Sequence, residues 1–203
     1  MTKTIYYVLM VISLFIFPSF LVSSENAVPI SVRSAVIFNT LCSKCHEGEC
    51  SGRLSFDTGS KTDSRHIRRY TGDANLSKSK IKEFFTLLNY MKKKCAVYMP
   101  DNVQWKNSSK DISRFMLPSS KGYFIPLGSL ESGKYHIKIK VRENIHFQTE
   151  VLSNHFDHFL NQEMCPEKKN MLQFELNRPT TVFVRIKSRS PMHIVSFKVE
   201  KDH

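Results

Sequence analysis

No internal repeat and no low-complexity tract occurs in the sequence, so it does not read as a repeat array. Acidic residues are scarce: 18 Asp and Glu stand against 30 Lys and Arg, a formal net charge of +12 over 203 residues. Such a balance favours acidic partners or anionic surfaces without identifying one. With 24% charged and 41% apolar residues, the composition excludes both a disordered chain and a polytopic membrane protein. No nucleic-acid recognition motif is present, and that class of partner is set aside. The eight histidines are scattered without a local signature. Neither Ser-His-Asp nor paired-carboxylate catalysis can be argued from them, and the chain is read as a non-enzyme.

What is present begins with an export signal over residues 1–24. Lys3 is followed by an apolar run over 5–22 and then the small residues Ser23 and Ser24. Pro18 and the small-residue exit favour cleavage over the alternative, a retained membrane anchor. Cleavage leaves 179 residues carrying +11 and puts them in the bacterial periplasm or outside the cell. Cysteines normally pair in such an oxidising space, and five is an odd number.

Cys42-Ser43-Lys44-Cys45-His46 gives the cysteines another use. In a C-x-x-C-H pattern two thiols add across the vinyl groups of a haem and the adjacent His ligates its iron. Two other readings stand beside it. One is a zinc site of Cys42, Cys45, His46 and Cys50; the other is a redox or structural disulfide of Cys42 and Cys45. Zinc clusters of this kind favour reducing compartments, and the second half of a paired C-x-x-C is missing. A thioredoxin-like pair follows a strand, whereas Val32, Val36, Ile37 and Leu41 recur at helical spacing just before Cys42.

A helix running into C-x-x-C-H, with Phe38 four residues before the first cysteine, resembles the first helix of class I cytochromes c. A second helix is expected over 79–95, where Ile81, Phe84, Phe85, Leu88, Met91 and Cys95 follow the i, i+3, i+4, i+7 pattern. It is similar to the family's C-terminal helix, with Tyr90-Met91 in place of its aromatic. The resemblance covers roughly residues 30–105 and implies one haem c, bonded through Cys42 and Cys45, with His46 as the proximal iron ligand. For the distal position it points to Met99, which is followed by Pro100 as in many family members. In the class I pattern that Met precedes the last helix, and here no Met lies between His46 and Tyr90. His66 is the competing ligand, and Met91 or an open site remain. Cys50, Cys95 and Cys165 allow three pairings, each leaving one cysteine over; a bridge from Cys50 to Cys95 closes a 46-residue loop.

Residues 106–120 are rich in Asn, Ser and Pro and are expected to be a linker. Beyond them alternation dominates, in 135–141, partly in 171–176, in 181–186 and in 193–199, with 155–162 left as a helical turn or a long loop. The expected fold is therefore multidomain α + β: a small all-α haem domain over 25–105 and an antiparallel, jelly-roll-like β-sandwich over 121–203. Gly133-Lys134-Tyr135 leading into a strand, with a last strand ending Phe197-Lys198-Val199-Glu200, resembles galactose-binding-like, carbohydrate-binding modules. Sugar binding needs exposed aromatics; Tyr123, Phe124, Phe156 and Phe159 are available, and the core is the default place for most of them. Trp105 is assigned either to a haem edge or to the interdomain seam.

In the cleaved chain the excess charge divides into +5 over 25–105 and +6 from residue 106 on. Lys92, Lys93 and Lys94 with Arg65, Arg68 and Arg69 are a candidate rim for an acidic docking patch on a redox partner. The function these features imply is one-electron transfer by an exported monohaem cytochrome, docked by its sandwich. The alternatives are a glycan- or cell-surface-binding module in which the haem is a sensor or structural element, and an open-site haem with peroxidase-like or gas-binding activity.

Overall fold

A computed structural model describes residues 29–51, 60–71, 76–101, 103–106, 111–165 and 171–202; the expected export signal lies outside them. Among the described residues no helix is long and apolar enough to cross a membrane.

Helix α1, Val32–Ile37, starts where the Ser31 hydroxyl accepts the Ser34 N–H. The helix loosens into a π-helical turn, Phe38–Cys42, and continues as α2, Ser43–His46, and a 3-10 segment, Glu47–Ser51. Thr40 and Ser43 hydroxyls donate back to the Val36 and Asn39 carbonyls across this change of pitch. Helix α3 spans Ser60–Thr71, and α4, Lys78–Lys94, is capped by Ser77 and ends at Cys95 in the left-handed region. Phe84, Leu87 and Met91 on one stripe of α4 are buried, as its apolar spacing requires.

Seven strands follow: β1 Gly122–Leu130, β2 Gly133–Val141, β3 Phe147–Ser153, β4 His158–Met164, β5 Met171–Leu176, β6 Thr180–Ser188 and β7 Ile194–Lys201. They form two antiparallel sheets, ordered β1-β6-β3-β4 and β5-β2-β7, the arrangement of a β-sandwich. The second sheet alternates, with Tyr135, Ile137 and Ile139 of β2 and Leu172, Phe174 and Leu176 of β5 buried between exposed neighbours. In β3 and β6 the central residues are buried on both faces, because the N-terminal helices cover the outer side of the first sheet. Gly122 marks the close approach: a Cβ there would lie 2.5 Å from the Ile186 carbonyl oxygen and 3.2 Å from the Thr40 methyl. Trp105 links edge strands of the two sheets, donating its backbone N–H to Pro126 O of β1 (2.9 Å) and meeting the Phe197 ring of β7 edge-on at 4.9 Å.

Two segments differ from expectation. Residues 155–162, read as a turn or loop, contribute most of β4, an outer strand with largely exposed side chains and hence no apolar alternation to detect. The stretch around His66, read as a connection, lies in α3, where Ile67 supplies the buried apolar contact. Within 106–120, Ile112–Phe115 forms a 3-10 turn with Ile112, Phe115 and Leu117 buried.

Candidate cofactor-attachment site

Cys42, Cys45 and His46 stand at i, i+3 and i+4, the spacing of neighbours on one side of an α-helix, with Cys42 ending the π-helical turn and Cys45 and His46 in α2. Interleaved Ser43, Lys44 and Glu47 face another way and are gripped by the first sheet. The Arg185 guanidinium donates from Nη2 to the Ser43 hydroxyl at 2.8 Å and to Glu47 Oε2 at 3.3 Å, and from Nη1 to Glu150 Oε2 at 2.8 Å. Lys44 bonds the other oxygen of Glu150, and His158 Nε2 lies 3.3 Å from Glu47 Oε1. Arg185 and Glu150 are direct cross-strand partners on β6 and β3, and each is only 1% exposed. One further contact holds the preceding turn: the Asn39 side-chain amide donates to Tyr98 O at 2.9 Å.

Burial sets the electrostatics of this seam. It pushes the Cys42 thiol up to about 12, with the nearby Cys45 adding to the rise and Lys187 opposing it. Lys187 is itself lowered, first by burial and then by the like charges of Arg185 and Lys44. Burial alone would raise Glu150, but the Lys44 hydrogen bond and the Arg185 charge more than offset it and hold the carboxyl below its ordinary value. Thus Cys42 stays a neutral thiol at neutral pH, the opposite of the depressed pKa that marks a catalytic dithiol.

The other expected residues are dispersed. Met99 and Pro100 line a cleft of about 500 Å³ with Gln104, Asn154, Thr181 and Phe183; Cys42, Cys45 and His46 are not part of its wall. Through the bond from Asn39 to Tyr98, however, the residue beside Met99 is tied to the turn that leads into Cys42. His66 is exposed on α3 with its ring 4.6 Å from Tyr70, and Met91 is buried in the core. Arg65 and Arg69 are exposed on α3 and Lys93 and Lys94 on α4. Of the four aromatics considered for sugar binding, Tyr123 and Phe124 are core and Phe156 and Phe159 are half-buried. Among the described residues no group of three or more His, Cys, Asp or Glu side chains is placed to hold a metal ion. Arg185, Glu150 and Glu47 were not foreseen. The one trace of them in the sequence is a charge at position 185 within an otherwise apolar strand.

No known protein-family model matches the chain, and no curated protein matches it.

Proposed function

We propose that this chain is an exported c-type haem protein that passes single electrons. The observation that carries the reading is the division of labour along 42–47. Cys42, Cys45 and His46 are spaced i, i+3 and i+4 along one stretch of helix, while Ser43, Lys44 and Glu47 hold that stretch to the sheet. This donor set suits a haem held by two thioethers and a proximal imidazole. Bound there, the haem supplies a reversible ferric/ferrous couple. Its protein surroundings then have two tasks. The Arg185–Glu150–Lys44 network keeps the turn from shifting relative to the sheet, which limits the reorganisation that accompanies a change of charge. Met99 is the proposed distal ligand; its neighbour Tyr98 accepts a hydrogen bond from Asn39, in the turn that leads into Cys42.

The raised thiol pKa at Cys42 favours this reading over a reactive dithiol. A one-electron carrier also fits the basic surface of α3 and α4, which would attract a partner with an acidic patch. The all-α haem domain of class I cytochromes and the jelly-roll resemblance of the sandwich belong to the same proposal.

The test is expression of the full chain in a host that attaches haem to C-x-x-C-H sequences. A pyridine haemochrome spectrum of the c type and an intact mass raised by one haem are expected. A colourless product of unmodified mass would remove the proposal.

A further inference from the structure

We infer that Cys50 and Cys95 form a disulfide that staples the segment after His46 to the end of α4, leaving Cys165 as the unbridged cysteine. Both converge on one atom. Cys50 Sγ lies 3.7 Å from the Met91 carbonyl oxygen, and the Cys95 N–H donates to that same oxygen at 2.7 Å. Both carry thiols in this structure, and the shared acceptor places the Cys50 sulfur beside the backbone of Cys95, so that closing the bond requires the two side chains to turn toward each other. Cys95 occupies a left-handed conformation, φ 45° and ψ 49°, at a helix end where Gly or Asn is the usual residue.

Cys165 is placed away from both. The Cys95 carbonyl meets His155 Nδ1 at 3.2 Å, and Val97 N–H reaches Asn154 O at 2.8 Å, so this segment lies at the closed end of the β3–β4 hairpin. Cys165 follows Met164, which pairs with Phe147 at the open end, whereas His158 pairs with Leu152 near the closed end. At roughly 3.3 Å per residue those rungs are about 17 Å apart, far beyond disulfide reach.

The step balances as thiol–disulfide exchange. The Cys50 and Cys95 thiols give two protons and two electrons to a small disulfide oxidant, which leaves as two thiols while the S–S bond forms. It does not depend on haem, whose presence is read separately from the spectrum.

The full chain, reduced and then incubated with oxidised glutathione, is digested without reduction and mapped by mass spectrometry. A linked peptide pair containing Cys50 and Cys95 is expected, with Cys165 alkylated. Cys165→Ser should leave that pair unchanged, and Cys50→Ser should make Cys95 fully alkylatable. A link from either residue to Cys165, Cys42 or Cys45, or alkylation of both Cys50 and Cys95, would overturn the inference.

Discussion

Arg185 shows what one buried charge does for this site. Its guanidinium is buried yet bonded to Glu150, Glu47 and the Ser43 hydroxyl, so three parts of the chain share its charge. Arg185→Ala should lower stability by about 3 kcal/mol, the low end for a broken buried pair because Lys44 still neutralises Glu150. Urea titration followed by circular dichroism measures it. Glu83 makes the second residue-scale case. Burial would raise its carboxyl, but the Ser31 N–H, the Ser34 and Ser31 hydroxyls and Lys80 hold it at about 2 against an ordinary 4.5. A carboxyl lowered on folding contributes its full stability above 4.5 and loses it as the pH falls through 2. Melting temperature should therefore decline across that window, and Glu83→Gln should make the decline shallower. Cys42, Cys45 and His46 could be singled out because they stand within five consecutive letters. Their anchors were not, because Lys44 and Glu150 are 106 residues apart and Ser43 and Arg185 are 142 apart.

Among elements, the ones readable in advance were those with one wet face. Helix α4 carries a buried stripe, and β2 and β5 alternate, so period alone located them. Strand β4 buries too little to imprint a period, and among the described side chains of α3 only Ile67 is buried. The seat of the N-terminal helix on β1 was equally invisible, since a lone glycine announces no partner. Gly122→Ala should destabilise by about 1–3 kcal/mol, because the new methyl meets the Ile186 carbonyl and the Thr40 side chain at once. A thermal melt of the variant tests this; an unchanged midpoint would mean that the helix is free to lift.

At the scale of the whole molecule, one hydrophobic cluster runs from Val36 and Phe38 through Phe115 and Tyr123 to Phe197, so helices and sheets share a core. Unfolding followed by Trp105 fluorescence should then coincide with unfolding followed by far-ultraviolet circular dichroism, as a single transition. Two separated midpoints would show that the helical part melts alone. The long sequence separation between Ser43 and Arg185 has a consequence in time. At about 5–20 residues per second, roughly 7–28 seconds of synthesis separate the emergence of the C-x-x-C-H turn from that of the arginine that clamps it. For that interval Ser43 has no arginine to hold it, and the arrival of β6 fixes the turn to the sheet.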